Sequence, residues 1–171
     1  MATKAKKKAP ATTSKTKASS IKLKKVLVPI DFSSCSMKSL DYAVAFAKQF
    51  NATLILGHVV QFDYPAIDGF GGVDFGSLEL DLRREADGQL KKLVKAVREK
   101  GVTVRGVLAD GRAAQAICDL ADNQSADLLI ISTHGYSNLK HFLLGSVSEG
   151  VVRHATCPVL VVREHEREFV I

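Results

Sequence analysis

At 171 residues, with 46% hydrophobic side chains and a mean hydropathy of +0.07, the chain is long enough for the core of one domain. It contains no apolar run of about 18 residues that would cross a membrane. Its formal charge of +6 is uneven: six of the 24 basic residues (Lys4, Lys6, Lys7, Lys8, Lys15 and Lys17) fall in the first 20 positions, which hold no acid. The rest of the chain therefore balances 18 basic against 18 acidic residues, so the basic character gives no ground for reading the folded body as a nucleic-acid binder.

Residues 1–21 lack large apolar side chains between Met1 and Ile21, so they cannot bury enough surface to offset ordering, and a disordered tail is expected. The tail reads as a solubilising segment or as a weak contact for a polyanion. It lacks the apolar stretch and cleavage pattern of a secretory signal, and the Arg and amphipathic pattern of a transit peptide.

Val26-Leu27-Val28-Pro29-Ile30 reads as a short buried strand closed by Asp31, with Ser33 or Ser34 able to cap the next element. Met37, Leu40, Ala43, Val44 and Ala47 then share one helical face as far as Phe50. Thr53 to Val60 is nearly all apolar, as suits a parallel strand covered on both faces. Residues 61–77, rich in Gly, Asp and aromatics, are expected to form a long loop, either a lid, a partner surface or a segment pinned by its own aromatics.

Leu82, Ala86, Leu90, Leu93 and Val97 mark a long amphipathic helix ending at Gly101. Val102 to Leu108 is a third strand, about Arg112 to Asn123 a helix with Ala113, Ala116, Ile117 and Leu120 inward, and Leu128 to Ile131 a fourth strand. A helix after Gly145 leads to a fifth strand, Pro158 to Val162, and residues 164–171 form a short extension. This alternation implies an α/β fold, a five-stranded parallel sheet with right-handed crossovers and helices on both faces. Cys35, Cys118 and Cys157 are scattered and form no metal spacing or disulfide framework, which fits reduced thiols in a cytoplasmic protein.

The stretch Ser132–Ser148 is the most informative. Gly135 lies just past the fourth strand, and Gly145-Ser146 opens a helix. Free N–H groups and the positive dipole end at a helix start favour an anion. Glycine lets the backbone come close to it, and Ser146 and Ser148 add hydroxyls. No Gly-x-x-x-x-Gly-Lys-Ser/Thr and no Gly-x-Gly-x-x-Gly is present.

Nine residues separate Gly135 from Gly145, and Ser146 follows. This resembles the signature of the universal stress protein family, Gly-x-x-Gly, nine residues, then Gly-Ser/Thr, with Ser132 standing where the first glycine would be. Lys-Val-Leu-Val-Pro-Ile-Asp-Phe-Ser, His-Val-Val, and Ser-Glu-Gly-Val-Val-Arg-His-Ala-Thr-Cys-Pro-Val-Leu-Val-Val agree in the same order, so the resemblance spans residues 22–163.

The resemblance implies an adenine nucleotide alpha hydrolase-like sheet of order 3-2-1-4-5, a role in stress response, and an ATP site. In that site Asp31 would contact the ribose region, Pro29 and Ile30 would line the base and Val59 would border the adenine. Ser132, Gly135, Gly145, Ser146, Val147 and Ser148 would wrap the ribose and phosphates, with His134 in reach of a phosphate. Read without the family, Asp31 and Ser146 serve as helix caps, Val59 as core and the glycines as turns. Asp31 could hold Mg²⁺ together with the phosphates, but one carboxylate is no hydrolytic set. A binding module is therefore expected, with a slow ATPase or a partner protein that binds no nucleotide as alternatives. The family also implies a homodimer, and the apolar edge strand Pro158–Val162 would be covered by the same strand of a second chain, or else by Phe169-Val170-Ile171.

Overall fold

The computed structural model describes residues 21–62, 75–133 and 144–163, together with Val170. The basic tail, the Gly- and aromatic-rich segment 63–74, and most of the loop after the fourth strand lie outside the described residues. The elements run β1 (Lys25–Pro29), α1 (Ser34–Phe50), β2 (Thr53–Val60), α2 (Phe75–Glu99), β3 (Val104–Asp110), α3 (Ala113–Gln124), β4 (Leu128–Ser132), α4 (Ser146–His154) and β5 (Val159–Val162).

All five strands are parallel in the order β3-β2-β1-β4-β5, the order that the family resemblance implies. Val26, Leu27 and Val28 of the central strand are fully buried, because helices cover both sheet faces. On one face Val26, Val28 and Ile30 pack with Leu40, Ala43 and Ala47 of α1 and Leu90 and Val97 of α2. On the other, Leu27 and Leu129 pack with Ile117, Leu120 and Ala121 of α3 and Val151 of α4. Each such large side chain contributes roughly 1.5–3 kcal/mol by leaving water.

Strands β1 and β4 are neighbours in space but far apart in sequence. Asp127 joins them by accepting from the backbone N–H groups of Lys24 and Lys25 at 2.8 and 2.9 Å. On the other side of β1, a Cβ at Gly57 of β2 would lie 2.6 Å from Cδ2 of Leu120, so glycine there lets α3 approach the sheet.

Several strand ends shift by one or two residues, and the starts of α2 and β3 also differ from expectation. Helix α2 begins at Phe75, inside the segment expected to be loop, and Leu82, expected inward, is 40% exposed. At about 1.5 Å per residue, 25 helical residues outrun the seven of β3 even at about 3.3 Å each. The first turns therefore pass beyond the core, whose contacts begin at Ala86. Strand β3 starts at Val104 rather than Val102, although Val102 is buried.

Candidate functional site

Three structures meet at the C-terminal edge of the sheet: the turn after β1, the end of β2, and the junction of β4 with α4. The turn after β1 is built by Asp31. Its Oδ1 accepts from Ser33 N–H at 3.0 Å and from Ser33 Oγ at 2.6 Å. Ser33 in turn caps α1 by accepting from Ser36 N–H at 3.2 Å, so the cap is Ser33 and not Asp31. Between them Phe32 takes φ 64°, a left-handed conformation that bulky side chains rarely adopt.

His58, near the end of β2, reaches into this turn. Its Nδ1 lies 2.7 Å from the carbonyl oxygen of Ile30, and its ring stands 4.9 Å from that of Phe32. Neighbouring residues of a strand face opposite sides. Val59 accordingly packs, half-buried, with the α3/α4 cluster, and Val147 of α4 packs with the same cluster. Ile30, only 2% exposed, turns its side chain into the α1 side of the core. Ile30 therefore offers the site its backbone alone, while Val59 and Val147 share the other face.

The junction of β4 and α4 is the most tightly specified part. Ser132 is the last residue of β4 and Thr133 the first beyond it, and both are buried. The N–H of Thr133 donates to the carbonyl of Val162 at 2.9 Å, and that of Gly145 to the carbonyl of Thr133 at 2.9 Å. Ser148, also buried, donates its hydroxyl to the carbonyl of Ser132 at 2.7 Å, with the carbonyl of Thr133 at 3.2 Å. A hydroxyl has one proton, so Ser148 has none left to donate to a ligand. Ser132 does not have positive φ. Its strand conformation suits an L side chain, and serine in place of glycine strains nothing there.

Gly145 is the N-cap of α4, with φ −61° and ψ 151°, and among the described residues no side chain caps this helix. The first N–H groups of a helix lack intrahelical acceptors, so Ser146, Val147 and Ser148 present theirs at the positive end of the α4 dipole. His134 and Gly135 lie outside the described residues. Pro29, Ile30, Asp31, Val59, Ser132, Gly145, Ser146, Val147 and Ser148 all fall at the ends of β1, β2 and β4 or in the first turn of α4. His58, Phe32 and Ser33, which lie within the quoted blocks but carry no assigned site role there, join them. His58 stands next to Val59, and only strand alternation separates their roles.

Among the described residues no group of three His, Cys, Asp or Glu side chains is placed to hold a metal ion. No helix among them is long and apolar enough to cross a membrane.

Comparison with known proteins agrees with this geometry. The model of the universal stress protein family matches residues 22–163. Universal stress protein MJ0531 of Methanocaldococcus jannaschii is 36% identical over 149 residues, 85% of this chain and 85% of the relative. The solved structure of MJ0577 from the same organism aligns with a TM-score of 0.68 at 27% identity, covering 86% of this chain and all of the other. A universal stress protein solved in complex with cAMP aligns with a TM-score of 0.55 at 27% identity, covering 83% and 98%.

Proposed function

The chain belongs to the universal stress protein family, and on that premise we propose that it binds an adenine nucleotide, ATP foremost, as a nucleotide-dependent module of stress response. The observation that carries this reading is the start of α4. Among the described residues no side chain caps its N–H groups, and hydrogen bonds from Gly145 and Ser148 hold it against the end of β4. Such a helix start takes the phosphates. Val59 and Val147 border the base on the α3/α4 face, and Asp31, half-buried in the turn after the adjoining β1, meets the ribose. The relative solved with cAMP supports an adenine ligand for this type of fold. Any Mg²⁺ would be held mainly by the phosphates, with Asp31 as the carboxylate assigned to the site. Turnover, if present, would be slow, since Asp31 is the sole carboxylate assigned to the site.

Calorimetric titration with ATP, ADP and AMP tests the proposal. Gly145→Ala is the matching variant, because φ −61° suits alanine and the chain should fold unchanged. Binding by the natural chain, weakened in Gly145→Ala, supports a phosphate lying close to that backbone. No heat and no nucleotide co-purifying with the protein would overturn the proposal. Product formation well above background, lost in the variant, would favour the slow ATPase.

We further propose a homodimer through β5. Among the described residues the strand pairs with β4 alone, and Val159, Leu160 and Val161 are half-buried at the sheet edge. Val170 packs against the cluster that Val162 and Leu160 of β5 also join, while Phe169 and Ile171, the other residues of the alternative cover, lie outside the described residues. Sedimentation of the natural chain against Leu160→Lys checks this: a dimer unaffected by the charge would move the interface elsewhere.

A further inference from the structure

The turn that carries Asp31 is held from both sides, by Ser33 along the chain and by His58 from the neighbouring strand. Given the proposed adenine-nucleotide site, on which this inference rests, we infer that His58 is a positioning residue. It locks the Ile30–Phe32 turn so that Asp31 meets a ribose hydroxyl, and it thereby sets a preference for ribonucleotides over their deoxy analogues.

The geometry gives His58 this role through three linked contacts. The Ile30 N–H donates to the carbonyl of Gly57 at 2.7 Å, and the Ile30 carbonyl lies 2.7 Å from His58 Nδ1. A carbonyl only accepts, so Nδ1 carries the proton and donates. Residue 30 is thus tied to β2 through both of its backbone polar groups. Two positions on, Phe32 sits at φ 64° with its ring against the imidazole. A left-handed bulky residue persists only where its surroundings over-determine it. Here those surroundings are the His58 ring, the bond to Ile30, and the α1/α2 cluster against which Phe32 packs.

Asp31 lies between the two fixed residues. Its Oδ1 is taken by Ser33, while Oδ2 has no hydrogen bond from any described residue. A carboxylate oxygen only accepts, and a sugar hydroxyl is a donor that suits it. Without the His58 bond, Phe32 can relax to negative φ, which rotates the backbone on either side of Asp31 and moves Oδ2.

The test measures affinities for ATP, 2′-deoxy-ATP and 3′-deoxy-ATP by calorimetry. It compares the natural chain with His58→Phe, which keeps a ring against Phe32 but has no donor, and His58→Asn, whose amide nitrogen can replace Nδ1. The natural chain is expected to prefer ATP over at least one deoxy analogue by ~10-fold, the scale of a hydrogen bond to a charged group. His58→Phe is expected to bring that ratio to near unity while leaving affinity for the deoxy analogue unchanged, and His58→Asn is expected to retain it. A preference that survives in His58→Phe overturns the inference. So does a parallel loss of affinity for all three ligands, which is what a merely structural role would produce, or a natural chain that binds all three equally. Failure of the natural chain to bind any of them overturns the nucleotide site itself, a result distinct from the others.

Discussion

The hydroxyl of Ser148, in the first turn of α4, donates to the carbonyl of Ser132 at the end of β4 over 2.7 Å, in a buried setting. This bond, with that from Gly145 to Thr133, sets where the α4 dipole points relative to the sheet. Ser148→Ala removes this donor and with it one buried hydrogen bond, a loss of about 0.5–1.5 kcal/mol. Urea denaturation should show that loss with an unchanged m-value, and ATP affinity should fall with it. A stability within error of the natural chain would mean that water replaces the hydroxyl.

Helix α4 is also fixed from its other side. A Cβ on Gly150 would lie 2.7 Å from Cβ of Ala114 on α3, closer than carbon atoms pack. Gly150→Ala gains up to about 1 kcal/mol of helix propensity, but two backbone-anchored atoms must separate, at roughly 1–3 kcal/mol. The net expectation is a modest destabilisation by thermal or chemical denaturation. Ala114→Gly in the same chain should remove the clash and restore part of the loss. A double mutant less stable than the sum of the singles would contradict the contact.

How much of the fold and the site is legible in the sequence depends on the range of the interaction. The near-continuous apolar runs of β1, β2 and β4 encode burial on both faces, and alternation with helices encodes the parallel sheet. The candidate roles of Asp31, Val59 and Gly145 come from the family resemblance, since by residue type alone they read as a cap, a core residue and a turn. The bonds from His58 to Ile30 and from Ser148 to Ser132 join residues 28 and 16 positions apart. No local pattern encodes such pairs. Ile30 shows the same limit. Its place after Pro29 suggests a side chain in the site, but strand alternation sends it to the α1 core. The start of α2 is hidden by Gly72, Asp74 and Gly76, whose composition reads as loop, although Phe75 already begins the helix.

Helix α3 ends on a strained residue. Ser125 has φ 52° and ψ 56°, and its N–H donates back to Ala121 and Asp122. Glycine is the residue suited to this left-handed cap. The Ser125 side chain is exposed and packs against nothing in the core. Ser125→Gly is therefore expected to stabilise the fold by about 0.5–1 kcal/mol, the relief of the Cβ clash exceeding the extra freedom of the unfolded chain. Asn51, in the same conformation at the end of α1, should gain less from glycine, because Asn tolerates the left-handed region. Melting temperatures of the two variants order these effects, and an equal gain at both sites would contradict the argument.

Two thiols couple the α3/α4 side of the core to pH. Burial raises the pKa of Cys118, on the inner face of α3, and of Cys157, just before β5, above the ordinary value of 9.0, with the nearby Asp122 adding to both shifts. The folded state thus holds these protons more tightly than the unfolded state. Their contribution to stability is fully present below the unfolded pKa and is lost as pH rises through the higher folded values. Denaturation midpoints should fall as pH rises past about 9, and the fall should be shallower in a Cys118→Ala, Cys157→Ala double variant, whatever its absolute stability. Alkylation of both thiols by iodoacetamide at neutral pH should likewise be slow until the chain is unfolded, since the thiolate is the reactive form. An identical pH slope in the double variant, or fast labelling of Cys118 in the folded chain, would show that burial does not hold these groups neutral.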